Sequence, residues 1–171
     1  GDFTEAPQSP FSVEGKPREL VVSDFNGDGM VDVAYVRTDT SQEILIHHQS
    51  PSGLSLLSSA TLQFNQPMLG AAGRMKKGDV NNDGRDDLIL SVRDIGNPQS
   101  AGALHVFLQG NLDISAAPYS PLTLGIGPGL FDIGDLNNDS LLDVAVVNTG
   151  PAMGNSSVSV FLQDNSGVLA R

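Results

Sequence analysis

An all-β fold built from repeated four-stranded antiparallel units is what this 171-residue sequence predicts, and three observations carry the prediction. An Asp/Asn-rich loop recurs three times, with its first aspartate at Asp24, Asp79 and Asp135, at spacings of 55 and 56 residues. Each loop runs into a short β-branched, aliphatic stretch: Val33 to Val36, Leu88 to Val92 and Val144 to Val147. No segment of convincing length carries helical periodicity, so long α-helices are set aside. Self-similarity at a fixed period is the mark of a repeat architecture, in which each unit buries its apolar face against its neighbours.

Within one period the elements follow from residue type. A second apolar strand succeeds the first at Ile44-Leu45-Ile46, at Leu104-His105-Val106-Phe107-Leu108-Gln109 and at Val158-Ser159-Val160-Phe161-Leu162-Gln163, the last two nearly matching letter for letter. Beyond the next turn, Ala6-Pro7-Gln8-Ser9-Pro10-Phe11-Ser12-Val13 reads like Ala117-Pro118-Tyr119-Ser120-Pro121-Leu122-Thr123-Leu124, and Gly15 to Pro17 or Gly127-Pro128 follows. Proline has no N–H to give a ladder, so it belongs on an edge. This segment is therefore expected as the outer strand of each unit. Four strands in roughly 55 residues, punctuated by turn residues, describe a propeller blade or a similar all-β unit.

One domain over residues 1–171 is expected, with units at about 1–52, 53–109 and 110–166, and with 167–171 starting a further outer strand. Gly1, Gly53, Gly110 and Gly167 hold equivalent hairpin places. Three blades are too few for a ring, which takes about four to eight. The expectation is a partial ring, or a ring completed by a homo-oligomer, for example a dimer with six blades.

The loops share the pattern Asp-x-Asn-x-Asp-Gly-x-x-Asp, with oxygen-bearing side chains at positions 1, 3, 5 and 9. Ca²⁺ is a hard cation that takes six to eight oxygens, and a main-chain carbonyl at position 7 is available whatever its side chain. The first candidate set is Asp24, Asn26, Asp28, the Met30 carbonyl and Asp32. The second is Asp79, Asn81, Asp83, the Arg85 carbonyl and Asp87. The third is Asp135, Asn137, Asp139, the Leu141 carbonyl and Asp143. Glycine at position 6 allows the positive φ that wraps the chain round an ion. Ser140 replaces it in the third loop, at a cost of about 1–2 kcal/mol, so up to three Ca²⁺ are expected, with the third site weakest. A twelve-residue EF-hand loop would need an acid at position 12, where Tyr35, Leu90 and Val146 stand. One Asn-Gly or Asp-Gly loop is more often a hairpin turn than a metal site. Three matching loops with four oxygen side chains each are hard to reach by turn chemistry alone.

Bulk properties agree. The formal charge is −11, from 20 acids and nine bases, and nine of the acids are the loop aspartates at positions 1, 5 and 9. Three Ca²⁺ carry +6 and would leave −5. A chain this acidic repels phosphate backbones, so nucleic acid is not an expected partner. No run is apolar and long enough to span a bilayer, and no signal-peptide pattern is visible. The absence of cysteine excludes disulfides, thiolate metal sites and cysteine nucleophiles.

With these residues in view, the chain resembles the FG-GAP/VCBS repeat family, best known from the β-propellers of integrin α subunits. The resemblance rests on the Asp-x-Asn-x-Asp-Gly-x-x-Asp loop, the Val-x-Val-Phe-Leu-Gln strand and the Gly-x-Pro approach, over essentially the whole chain. It implies that each loop joins the first two strands of a blade and holds Ca²⁺. It also implies that Leu20–Ser23, 73–77 and Leu130–Ile133 line a central channel. The chain departs from the family in blade count, at Ser140, and in the basic Arg74-Met75-Lys76-Lys77, where an apolar inner strand is usual.

For function, the reading is a non-catalytic, calcium-binding recognition scaffold with structural Ca²⁺ sites. It is expected to be secreted, periplasmic or cell-surface, with an unidentified protein or glycan as ligand. A lectin-like propeller or an accessory domain of a secreted enzyme is the alternative. Zero Trp and only Tyr35 and Tyr119 leave few surfaces on which sugar rings stack. An enzyme is not expected. His47, His48 and His105 do not converge on the strand pattern, and no Gly-x-Ser-x-Gly, phosphate loop or His-Glu-x-x-His is present.

Overall fold

A computed structural model describes residues 2–5, 9–37, 42–55, 57–64, 74–94, 96–97, 99–111, 113–151 and 154–171. Within them the chain is all-β and antiparallel, and its strands fall into three main sheets, none closed on itself. The first holds β1 (Pro17–Ser23), β2 (Asp32–Arg37) and β3 (Glu43–His47). After a short ladder of β4 (Gln49–Ser50) with β5 (Gly53–Leu54), it is completed by β6 (Ala60–Gln63), in the order β1-β2-β3-β6. The second holds β7 (Arg74–Gly78), β8 (Asp87–Val92), β9 (Ala101–Gln109), β10 (Ile114–Ala116) and β11 (Leu122–Ile126), in the order β10-β9-β8-β7, with β11 also on β9. The third runs β12 (Pro128–Gly134), β13 (Asp143–Asn148), β14 (Ser157–Gln163) and β15 (Leu169–Ala170) in sequence order. Among the described residues no helix is long and apolar enough to cross a membrane.

The outer strand departs from expectation in being split. In the second sheet β10 pairs with β9 from Phe107 to Gln109, and β11 pairs with it from Ala101 to Leu104. Between them the chain turns at Ala117–Ser120, closed by the Ser120 amide on the Ala117 carbonyl. Pro118 and Pro121 have no N–H for a ladder, so the break falls where they stand. The equivalent Ser9–Val13 lies in no strand, and residues 6–8 lie outside the described residues.

Successive sheets stack, and the pleat explains the stacking. Leu88, Leu90 and Val92 of β8, with Phe107 of β9, pack on Phe25, Ala34, Val36, Ile44 and Ile46 of the first sheet. Ile89, Leu104 and Val106 point the other way, onto Val144, Val146 and Phe161 of the third. Alternate residues of one strand thus serve two cores, and every residue of β8 is buried. Burying one such side chain contributes about 1.5–3 kcal/mol. At Gly102 the second and third sheets come so close that any side chain would run into Pro128 and the Val92 carbonyl.

The first strands β1, β7 and β12 lie side by side, with β7 between the others. Gly73, expected as the start of one of them, lies outside the described residues. The basic stretch that departs from the apolar expectation reaches outward to both neighbours. Arg74 pairs with Glu19 at 2.7 Å, Lys76 with Asp132 at 2.8 Å, and Lys77 reaches Ser23 Oγ at 3.1 Å and Asp86 at 2.7 Å.

Candidate metal centres

Each Asp/Asn-rich loop joins the first two strands of its sheet: 24–31 joins β1 to β2, 79–86 joins β7 to β8, and 135–142 joins β12 to β13. The three loops are built on one hydrogen-bond scaffold. The position-1 carboxylate accepts the position-6 amide: Gly29 on Asp24 at 2.7 Å, Gly84 on Asp79 at 2.8 Å and Ser140 on Asp135 at 2.9 Å. It also accepts the position-5 amide, at 3.1, 3.0 and 3.1 Å. The position-3 asparagine carbonyl takes that same amide, at 2.9, 3.1 and 3.1 Å, and its amide nitrogen donates to the position-5 carboxylate, at 3.0, 3.2 and 2.9 Å. The position-5 carboxylate accepts the position-7 amide, at 2.8, 3.0 and 2.8 Å. Positions 1, 3 and 5 are thereby gathered on one tight turn.

That turn requires left-handed residues. Position 6 is left-handed in all three loops, with φ of 84° at Gly29, 84° at Gly84 and 70° at Ser140, so the serine adopts the conformation expected to strain it. Position 4 is left-handed as well, at Gly27, Asn82 and Asn138. Sequence reasoning missed this second requirement, although Gly and Asn are the residues that tolerate it.

Position 9 has a different setting. Asp32, Asp87 and Asp143 are fully buried at the head of β2, β8 and β13. One oxygen of each accepts the position-2 amide: Phe25 at 2.9 Å, Val80 at 3.0 Å and Leu136 at 2.9 Å. The other accepts the amide of Gln49 at 2.8 Å, Gln109 at 2.9 Å or Gln163 at 2.9 Å. These glutamine amides hold the loop base to the next strand, and sequence reasoning missed them too. No side-chain signal marks them, because the donor is the main-chain amide that every residue but proline carries.

The electrostatics of the loops differ in detail. Burial pushes the Asp24 carboxyl up, but the amides of Gly29, Gly27, Asp28 and Asn26 together hold it below the usual carboxylate range. Asp135 is likewise held low, chiefly by the Ser140 amide. Burial drives Asp87 up to about 7, with Asp83 and Asp79 adding to the rise against the amides of Gln109 and Val80. In the second loop Arg85 sends its guanidinium back to Asp83 at 2.9 Å, to the Gln109 carbonyl at 3.1 Å and to Asn111 at 3.2 Å. Asp135 and Asn137 of the third loop are exposed, whereas Asp24, Asn26, Asp79 and Asn81 are half-buried.

The donor chemistry fits a hard divalent cation. All side-chain donors are oxygens, and in the hydrogen bonds above each ligand side chain keeps a lone pair unused. Among the described residues no group of three or more His, Cys, Asp or Glu side chains is placed to hold a metal ion. The three aspartates of each set, at positions 1, 5 and 9, are thus not gathered into one cluster: positions 1 and 5 share the turn, while position 9 is held at its base by main-chain amides.

Two of the three histidines have packing roles. His47 donates from Nδ1 to the Ser55 carbonyl at 2.8 Å and stacks on Tyr35. His105 is buried between Phe64 and Phe107.

A family model described as FG-GAP-like repeat matches residues 24–90 and again residues 79–146. The two matches together contain all three loops. No curated protein matches the chain.

Proposed function

Because the chain belongs to the FG-GAP-like repeat family, we propose that it is a calcium-binding module of propeller-type blades, each sheet one blade, serving as a non-catalytic recognition scaffold outside the cytoplasm. The observation that carries the reading is the threefold recurrence of one loop scaffold. It turns the oxygens of positions 1, 3 and 5 together on a half-open surface, and it repeats to within a few tenths of an ångström. Bound Ca²⁺ would supply charge neutralisation to three crowded carboxylate loops. The chain's own residues do the rest. Asp24, Asp28, Asn26 and the Met30 carbonyl, and their counterparts in the other loops, present oxygens. Asp32, Asp87 and Asp143 hold the loops on the sheets and offer their spare lone pairs.

The role assigned to the ions is structural. A ligand that binds only the folded state stabilises it by RT ln(1 + [L]/Kd), about 2.7 kcal/mol per site at a hundredfold excess over Kd. Extracellular calcium would keep such sites filled, which is the basis for placing the protein in a secreted, periplasmic or cell-surface setting. Its ligand would be a protein or glycan.

The test is isothermal titration of chelator-stripped protein with Ca²⁺ and, separately, Mg²⁺. Binding of two or three Ca²⁺ per chain, accompanied by a rise in Tm, is the expected result. No heat and no Tm change at millimolar Ca²⁺ would overturn the reading.

A further inference from the structure

Among the described residues, five of the nine bases pair with acids: Arg37, Arg74, Lys76, Lys77 and Arg85. With 20 acids in the chain, a base left without one is the exception. Two such exceptions, Arg18 and Arg93, open on the same cleft of about 250 Å³, and Arg74 is a third guanidinium on it. All three sheets build this cleft. The first gives Arg18 and Glu19, the second Arg74 and Arg93, and the third a wall that includes Pro128 and Leu130. It lies at the ends of β1, β7 and β12 remote from the Asp/Asn-rich loops, which leave those strands at Ser23, Gly78 and Gly134.

Strand register explains how these groups come to share one space. Ser23, Gly78 and Gly134 each pair with the position-9 aspartate of their sheet, and four residues earlier stand Glu19, Arg74 and Leu130. One place in the repeat thus carries an acid, a base and an apolar residue in turn, and the side-by-side packing of the first strands brings them together. Arg93 is held beside them. The Val92 carbonyl and Pro128 converge on Gly102, so close packing fixes both the main chain that carries Arg93 and the apolar wall.

The acids near these arginines are already engaged. Glu14 pairs with Arg37 at 3.3 Å, and Asp94 Oδ1 accepts the amides of Gly96 and Asn97 at 2.9 and 3.1 Å. Among the described residues the side chains of Arg18 and Arg93 make no ion pair or hydrogen bond. Glu19 meets Arg74 through Nη1, at 2.7 Å, with the arginine side chain 53% exposed. So exposed a pair contributes little and is readily exchanged for another partner.

Three guanidiniums against one carboxylate leave the cleft positive, and the planar fork of arginine matches a carboxylate in bidentate fashion. A polyanion is disfavoured, because the chain as a whole carries −11 and repels it before it arrives. A sugar ring finds no aromatic side chain in the lining. The volume is below the range of about 300–1,000 Å³ that takes a drug-sized molecule whole, and it suits one acidic group projecting from a larger partner.

We propose that this cleft captures a carboxylate presented by a peptide segment of a protein partner. Arg18 and Arg93 grip its oxygens, Arg74 joins them as it exchanges Glu19 for the ligand, and an apolar neighbour of the carboxylate rests on Leu130. The inference rests on the reading of the chain as a recognition scaffold, and it gives that scaffold's ligand its chemistry.

The experiment is an NMR titration of the full chain in excess Ca²⁺, reading the Nε–Hε signals of the arginines. The probes are acetyl-Leu-Glu-Leu-amide, its Gln counterpart, acetyl-Leu-Gln-Leu with a free C-terminus, and glucuronate. The signals of Arg18, Arg74 and Arg93 should move with a carboxylate peptide, and the Gln amide should bind about tenfold more weakly. The Glu and free-terminus peptides tell a side-chain carboxylate from a chain end. Arg93→Gln should weaken binding about tenfold, and Arg171→Gln, outside the cleft, should not change it. Glu19→Gln removes the internal competitor and should tighten binding severalfold, which a merely structural pair would not do. Equal binding of the carboxylate and amide peptides would overturn the proposal, as would weaker binding by Glu19→Gln or glucuronate binding as tightly as the better peptide. Arginine signals unmoved in a protein that binds its Ca²⁺ would sink this inference and leave the calcium reading standing. Signals that move in a protein that takes up no Ca²⁺ would do the reverse.

Discussion

The Oδ1 atom of Asp87 accepts the main-chain amide of Gln109 at 2.9 Å, so the last acid of the second loop is tied to the neighbouring strand as well as to its own loop. Both of its oxygens are engaged by buried amides. The Asp at position 9 thus has a structural task whether or not an ion is present, while the acids at positions 1 and 5 crowd together on a half-open turn.

That division predicts different behaviour from two alanine variants. Asp87→Ala leaves two buried amides without a partner and should cost about 2–4 kcal/mol even in chelator. Asp83→Ala should cost less than about 1 kcal/mol in chelator, and should abolish the calcium-dependent gain from the second loop. Urea unfolding of both variants with and without Ca²⁺ checks this. Equal losses in chelator would show that position 9 has no separate structural role.

Ser140 adopts φ 70° where the other loops have glycine. Ser140→Gly should relieve about 1 kcal/mol of backbone strain and strengthen the third site by up to about fivefold. Calcium titration of this variant against the parent reads the change. A third site already as tight as the first two in the parent would contradict the ranking.

Arg85 places a guanidinium 2.9 Å from a carboxylate oxygen of Asp83, an internal cation beside a candidate ligand. Met30 stands at the same position in the first loop. Arg85→Met should tighten the second site severalfold at low salt, a half-exposed pair being worth about 0–1 kcal/mol. The difference should shrink as ionic strength rises. Weaker binding by the variant would mean that Arg85 organises the loop instead of competing for it.

Burial pulls the His105 imidazole down to about 4 from its ordinary 6.5. In the unfolded chain it takes up a proton below pH 6.5, and in the folded protein it resists doing so until about pH 4. Its stabilising contribution is therefore complete above pH 6.5 and is lost as pH falls through that window, by up to about 3 kcal/mol. Leu45 occupies the matching register in the first sheet. His105→Leu should thus flatten the slope of unfolding free energy between pH 6.5 and 4. Superimposable slopes for the two proteins would refute this.

The parts of the molecule that were legible in sequence are those written in side-chain chemistry. The oxygens at positions 1, 3, 5 and 9 announce the loops, and the β-branched runs after them announce β2, β8 and β13. Main-chain roles were hidden. Nothing in the letter at Gln49, Gln109 or Gln163 says that its amide grips a carboxylate, since any residue but proline has that amide. The left-handed position 4 was obscured because Gly27, Asn82 and Asn138 are not one residue type. Arg74, Lys76 and Lys77 looked misplaced on an inner strand because their partners Glu19, Asp132 and Ser23 are set by stacking of sheets, which a period of about 55 residues does not encode.

The position of β8, buried along its whole length between two cores, sets an order of disassembly. When each unit touches only its neighbours, the free energy of opening is a sum of local terms and shared borders. Among the described residues the second sheet has two borders to lose when it opens, and the first and third one each. Amide protons of β8 should therefore be the slowest in the chain to exchange with solvent, at rates governed by global unfolding. Those along the unpaired edge of β14 should exchange early, so the molecule comes apart from its flanks inward.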